Sequence, residues 1–419
     1  MQTEIINIGD ELLIGQVVNT NAAWMAEQLN LAGFVVNQVT MIRDDRVHIL
    51  EALKSAQDRV PIVLISGGIG PTKDDITKHT LCAFFGTSLV FDPEAYKDIE
   101  DLFARRGYQV TELNRLQAEL PANCRSIPNP NGTARGMWFE KENAQGTKTI
   151  FISMPGVPFE MKAMMTDHVI PGLREIFHTP AIVHRTVLTQ GIGESFLAAK
   201  IESWEESLPA YIKLAYLPQP GIVRLRLTGK GPAAEILRLE IEEKVRELQS
   251  LIGEHIFGYD DDSLETVVGK LLTERQMTIA TAESCTGGYI AHLITSVPGS
   301  SAYFKGSLVP YSNEIKTGVA GILNETIRTF GAVSQPVVEE MAISVQTMFG
   351  VDYSIAISGI AGPQGGTPEK PVGTTWIAVA SPGSVTSQKF LFGDSRERNI
   401  RRAALQALNI LRKTILAEE

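Results

Sequence analysis

The chain has 419 residues, 44% hydrophobic and 21% charged, with a formal net charge of −10. That length exceeds one typical hydrophobic core, so two to three domains are expected. No apolar run of about 18 residues is present to cross a membrane, and no concentrated Lys and Arg block is present to displace counterions from nucleic acid.

Neither a membrane nor nucleic acid is therefore expected as a partner; the basic run "RNIRR" at Arg398 to Arg402 is short and reads as part of a helix start. Three scattered cysteines, Cys82, Cys124 and Cys285, exclude a disulfide framework and a clustered thiolate metal site. They fit a reducing cytoplasm. The opening "MQTEIINIGDELL" lacks a basic region followed by an apolar stretch, so it reads as a first strand and not a signal peptide.

In chain order, "EIINIG" and "PIVLISGG" are apolar runs ending in glycine, as buried parallel strands do. Between them "NTNAAWMAEQLNLAG" has a helix-start asparagine and a glycine stop, "FVVNQVTMI" reads as a strand, and "RVHILEALKSAQD" as a helix. This order predicts a doubly wound α/β domain over residues 1–170. Over 180–255 the strand patterns "AIVHRTVLTQG", "YIKLAYLP" and "GIVRLRLTG" alternate with the helical runs "ESFLAAKIESWEES" and "AAEILRLEIEEKVRELQSLIG". That predicts a small α+β module, read as a connector or dimerisation element. After the acidic break "GYDDDS", residues 262–419 predict a third unit, again α/β. It runs helix, strand "MTIATAE", helix, strand "KGSLVPYS", two helices, three strands and a final helix.

Four C-terminal segments carry candidate chemistry: "TAESCTGG", "GSSAYFKGSLVPYSNEIK", "ISGIAGP" and "FGDSRERNIRR". Singly, each has a structural reading as a close-packed turn, a polar strand, a glycine loop or a solvated helix. Together they resemble the nicotinamide mononucleotide deamidase domain of PncC proteins, which also forms the C-terminus of the CinA (competence/damage-inducible) family. The resemblance implies hydrolysis of the carboxamide of nicotinamide mononucleotide, with no cofactor, to nicotinate mononucleotide and ammonia. Such a reaction needs a nucleophile, a base and oxyanion donors. No histidine lies in the two motifs, and His292 reads as a packed helix residue. A lysine serves as base when burial lowers its pKa. The resemblance implies a Ser301–Lys316 dyad, with Tyr311 assisting proton transfer or orienting the pair. Substrate contacts are expected from Ser284, Thr286, Gly287 and Gly288 at a helix start, from Ser358 and Gly359, and from Arg396 to the 5′-phosphate.

At the N-terminal end, "IGDELLIGQVVNTN", "ISGGIGPTKDDITKHTL", "NPNGTARG" and "MPGVPFEM" resemble the molybdopterin-binding-like domain of CinA proteins, with Arg135 where the family pattern has proline. The "GGIGPT" turn between a strand and a helix is an expected anion cradle through Gly67, Gly68, Gly70 and Thr72. Carboxylates beside it, Asp75 first and then Asp74 and Asp10, are expected to hold Mg²⁺ or a similar divalent ion, with Glu11 nearby. The resemblance implies metal-dependent hydrolysis of ADP-ribose to AMP and ribose 5-phosphate, and a cytoplasmic homodimer is expected. The rival expectations are a molybdopterin-binding protein and a non-enzymatic competence or recombination scaffold.

Overall fold

In the computed structural model, residues 1–72, 75–143 and 146–418 are described. They form two compact units, Met1–Val183 with Lys230–Leu237, and His184–Gly229 with Arg238–Glu419. Most of the middle module thus falls in one compact unit with the C-terminal domain.

The N-terminal unit is built on a six-stranded sheet ordered Val35–Ile42, Gln2–Ile8, Ile62–Ser66, Lys148–Met154, Gly136–Glu142, Arg125–Ile127. The first four strands are parallel and the last two antiparallel. Helices cover both faces, so the parallel strands are apolar at successive positions and feed two cores. Ile5, Leu64 and Ile152 belong to one, and Ile6, Val63, Ile65 and Phe151 to the other. The helix Thr20–Leu31 begins where expected, its Asn19 side chain accepting the Ala22 N–H at 3.0 Å. From Gln2–Ile8 the chain moves first to one side and then to the other. The strand order therefore reverses between Gln2–Ile8 and Ile62–Ser66, and a crevice opens at their carboxyl ends.

The middle module has a four-stranded sheet ordered Ile212–Gln219, Ile222–Gly231, Ala181–Gln190, Ile256–Tyr259, with helices Glu194–Glu206 and Ala234–Ile252. Its fourth strand lies beyond the expected end at 255. Ile256 and Phe257 bury themselves, and the strand pairs antiparallel with Ala181–Gln190 before the acidic turn begins.

The C-terminal sheet is ordered Phe304–Leu308, Ile279–Glu283, Tyr353–Gly359, Thr374–Ser381, Ser384–Leu391. The first three strands are parallel; the last two turn antiparallel. Period-two alternation puts large residues on one face and small ones on the other. Ile279, Ile355, Ile357 and Val379 meet the final helix, Arg396–Ala417. Ala280, Ala282, Ala356 and Ala378 leave room for the helix Gln335–Phe349 to approach closely. Three helices, not two, separate Phe304–Leu308 from Tyr353–Gly359: Asn313–Gly318, Asn324–Phe330 and Gln335–Phe349. Left-handed glycines at 321 and 331 interrupt the run.

Candidate active site

The central strand Ile279–Glu283 delivers Ser284 to the carboxyl edge of the C-terminal sheet. There the Ser284 N–H donates to the Ile357 carbonyl at 3.0 Å, prolonging the ladder by one residue. The chain then reverses through Gly287 (φ 61°) and Gly288 (φ 97°), positive values that a Cβ would strain. The helix Tyr289–Thr295 follows. This strand–turn–helix geometry leaves the serine at the end of its strand, as the first residue of a tight turn whose Gly287 N–H donates back to the Ser284 carbonyl at 3.2 Å.

The start of that helix is not open to an external anion. The fully buried Glu283 carboxylate accepts the N–H of Ile290 at 2.9 Å and of Ala291 at 2.7 Å. The turn itself is freer: the N–H groups of Thr286 and Gly288 have no protein acceptor among the described residues. The Thr286 hydroxyl is buried with no partner. Glu283 was missed in the sequence, although a carboxylate just before a glycine turn and a helix is a recognisable capping signal.

Lys316 enters from the other side. It lies in the helix Asn313–Gly318, capped by Ser312, and is only 2% exposed. Its Nζ donates to Ser284 Oγ at 3.0 Å, to the Pro310 carbonyl at 2.7 Å and to the Tyr311 carbonyl at 3.4 Å. Burial holds this amine below its ordinary value of 10.5, with Cys285 acting weakly the other way. The Cys285 thiol beside it is pushed up to about 12, again mainly by burial. It stays protonated and does not compete with Ser284 as a thiolate.

Lys316 therefore meets Ser284 and not Ser301, which corrects the expected pairing. Ser301 is exposed on the turn Ser300–Ala302 that precedes the strand Phe304–Leu308, whereas Lys316 follows that strand. A strand rises about 3.3 Å per residue, so the two residues sit at opposite ends of the sheet edge. Ser284 and Lys316, far apart in sequence, reach the same end because Ile279–Glu283 and Phe304–Leu308 are parallel neighbours.

The remaining expected residues fall into two groups. The ring of Tyr311 is 60% exposed, and its hydroxyl accepts from Arg396 Nη2 at 3.2 Å; Arg396 Nη1 donates to the Gly362 carbonyl at 3.0 Å. Arg396 opens the final helix, so its charge stands at the same sheet edge as the Lys316 loop. Ser358 is buried and its hydroxyl donates to the Ala332 carbonyl at 2.7 Å. A Cβ on Gly359 would stand 3.1 Å from Cys285 Sγ, so this strand end packs directly against the Ser284–Cys285 turn.

In the N-terminal unit the glycine turn follows the strand Ile62–Ser66 and packs against the ends of its neighbours. Gly67 (φ 111°) spends its N–H on the Met154 carbonyl at 3.1 Å, and a Cβ there would lie 2.1 Å from the Ile8 carbonyl oxygen. Beyond Gly68, Asp75 turns back onto its own loop. Its Oδ2 accepts the Thr72 N–H at 3.0 Å and the Thr72 hydroxyl, and lies 2.6 Å from where a Gly70 Cβ would be. Asp10 is exposed in the first turn of the helix Asp10–Leu13, and Asp74 lies outside the described residues. Among the described residues no three His, Cys, Asp or Glu side chains group closely enough to hold a metal ion. Asp75 and Asp10 do not by themselves fit the expected divalent ion.

The crevice contains a cavity of about 120 Å³ lined by Asn7, Glu11, Asn21, Ser66 and Gly156, among others. The amide oxygens of Asn7 and Asn21 are buried without partners, while Asn21 Nδ2 donates to the Gly156 carbonyl at 2.7 Å. Neither asparagine was singled out in the sequence; each looks there like a strand or helix-start residue. Arg135 is buried, its Nε donating to Asp98 at 2.9 Å, which holds the loop without the proline. Asn129 ties the same loop to Glu160 at 2.7 Å.

Family models match three successive segments: the "CinA C-terminal domain" over residues 261–415, the "Probable molybdopterin binding domain" over 4–175, and the "Damage-inducible protein CinA KH domain" over 184–258. The KH match describes the module read from sequence only as a connector or dimerisation element. The chain is 49% identical to a CinA-like protein of Flavobacterium psychrophilum over 421 residues, covering 99% of each. It is 46% identical to a CinA-like protein of Cytophaga hutchinsonii, covering 98% of this chain and 97% of that one. A crystal structure of the competence/damage inducible protein CihA from Agrobacterium tumefaciens is 36% identical, spans 36% of this chain and 92% of its own, and superposes with a TM-score of 0.35. With near-complete coverage by relatives of this identity and all three domains matched in order, the chain belongs to the CinA family.

Proposed function

We propose that the C-terminal domain deamidates nicotinamide mononucleotide, with Ser284 as nucleophile and Lys316 as base. The observation that carries this reading is the buried contact of 3.0 Å between Lys316 Nζ and Ser284 Oγ. A serine hydroxyl needs a base to attack an amide, and a lysine accepts its proton only when neutral. The desolvated position of Lys316 favours the neutral form. Lys316 takes the Ser284 proton as Oγ bonds to the carboxamide carbon, and the carbonyl oxygen becomes an oxyanion. The Thr286 and Gly288 N–H groups and the Thr286 hydroxyl supply donors beside that position. Protonated Lys316 then delivers its proton to the departing nitrogen, which leaves as ammonia. A water molecule, deprotonated by the same amine, hydrolyses the acyl ester and restores Ser284. Arg396 offers a guanidinium to the 5′-phosphate, and Tyr311, held by it, orients the pair.

For the N-terminal domain the reading is ADP-ribose hydrolysis. Its support is the crevice at the strand-order reversal, whose lining includes two asparagines, Asn7 and Asn21, with unpaired amide oxygens. The described residues do not complete a metal site, so the reading rests on that crevice alone. A pterin-binding protein would bind molybdopterin there and release no AMP. A competence scaffold would release neither AMP nor ammonia. The deciding experiment is ammonia release from nicotinamide mononucleotide by the purified full chain; its absence under saturating substrate refutes the deamidase.

A further inference from the structure

The strand Ala181–Gln190 passes into the helix Glu194–Glu206 through Gly191, Ile192 and Gly193. Gly193 is the cap and has no side chain to offer, so the first N–H groups of this 13-residue helix have no side-chain acceptor. In front of them lies a cavity of about 380 Å³, a size suited to a small metabolite. Its opposite wall is made by Phe392, Arg402 and Gln406 of the C-terminal domain.

Two polar atoms of residues lining this cavity are buried without a partner. Gln190, 3% exposed, has an unmet amide oxygen, and Arg402 has an unmet Nε–H. The Arg402 guanidinium is held in place because its Nη1 donates to the Phe392 carbonyl at 3.0 Å. Buried polar groups are paired in the great majority of cases, so two orphans at one cavity beside an uncapped helix start point to a ligand. The ligand must accept from the helix start and the arginine, and it must also donate to a glutamine oxygen.

We propose that this cavity binds a sugar phosphate. The phosphate meets the Glu194–Glu206 helix start and Arg402. A sugar hydroxyl donates to Gln190, within reach of the further amides of Gln219 and Gln406 in the lining. Exposed Glu194 at the rim disfavours a bare phosphate and accepts from a hydroxyl, so the sugar is part of the recognition. The site is separate from Ser284, Lys316 and the N-terminal crevice and does not rest on the activities proposed for them.

The test is calorimetric titration of the full-length protein with ribose 5-phosphate, with ribose and inorganic phosphate as separate arms. Ribose 5-phosphate is expected to saturate and to bind more tightly than either fragment. Gln190→Leu and Arg402→Gln should each weaken that binding at least tenfold, about 1.4 kcal/mol. Failure of the wild-type protein to bind ribose 5-phosphate overturns the proposal. Binding unaffected by both lining substitutions, or inorganic phosphate binding as tightly as the sugar phosphate, overturns it equally. Should Arg402→Gln lower the melting temperature enough to unfold the protein, Gln406→Leu on the same wall is held to the same criterion.

Discussion

Two serine substitutions separate the structure-based nucleophile from the sequence-based one. Ser284→Ala removes the hydroxyl that accepts from Lys316 but leaves that amine two carbonyl acceptors, Pro310 and Tyr311. The structural cost is therefore one buried hydrogen bond, about 1 kcal/mol, and the fold should persist. The catalytic cost is far larger: removing a nucleophile lowers kcat by roughly 10⁴-fold or more, about 5 kcal/mol of transition-state stabilisation. Ser301→Ala alters an exposed turn and should change stability by no more than about 0.5 kcal/mol, with a rate within roughly a factor of 2 of the parent. Ammonia release from nicotinamide mononucleotide, read beside a thermal melt, measures both. Adding Lys316→Ala to Ser284→Ala should cost little more, because members of one catalytic unit are not additive. An active, folded Ser284→Ala enzyme, or a dead but folded Ser301→Ala enzyme, refutes the assignment.

Protonated Lys316 cannot accept the serine proton, so deamidation should rise with pH through a midpoint below the ordinary 10.5; a flat acid limb would remove Lys316 as base. Because the folded amine titrates below its unfolded value, the unfolded chain holds more protons between those two values. Stability should therefore rise with pH across that window, and Lys316→Met should abolish that part of the slope in denaturation midpoints. Arg396→Ala should raise KM strongly and also lower kcat, since the Tyr311 hydroxyl loses its donor; unchanged kinetics would leave Arg396 a packing residue. Asp75→Ala should lower AMP release from ADP-ribose while Asp75→Asn, which still accepts from Thr72, keeps most of it; loss in both variants would instead mark Asp75 as a metal ligand.

The legible part of the fold was the part dictated by local pattern. Apolar runs such as "IVLIS" in Ile62–Ser66 are buried at every position, and a strand covered on both faces cannot read otherwise. The helix start at Asn19 was equally plain, because the capping side chain acts within three residues of itself. What escaped was non-local. The four-residue strand Ile256–Tyr259 is defined by its partner across the sheet and lies directly before an acidic turn, so its own composition says little. The helix count after Phe304–Leu308 was misjudged because left-handed glycines at 321 and 331 look like ordinary small residues in an apolar stretch.

The same distinction explains the site. Lys316 was legible through the resemblance of its motif "YSNEIK" and the need of a serine for a base, and the structure buries it. Ser301, the expected partner, is fifteen residues away along the chain, yet nearness along the chain runs against the geometry. One strand separates Ser301 from Lys316 and carries them to opposite edges. A residue at the carboxyl end of a neighbouring parallel strand is brought alongside instead, and Ser284 is that residue. In a parallel sheet the groups that meet are those that follow strands, whatever their separation in sequence. Ser284, Lys316 and Ser358 all satisfy this condition, since each follows or ends one of the three parallel strands. Ser301, which precedes its strand, does not. The Glu283 carboxylate follows from the same placement: once the strand ends against a helix start, its last side chain is the one positioned to occupy that start, and the substrate is left the turn beyond it.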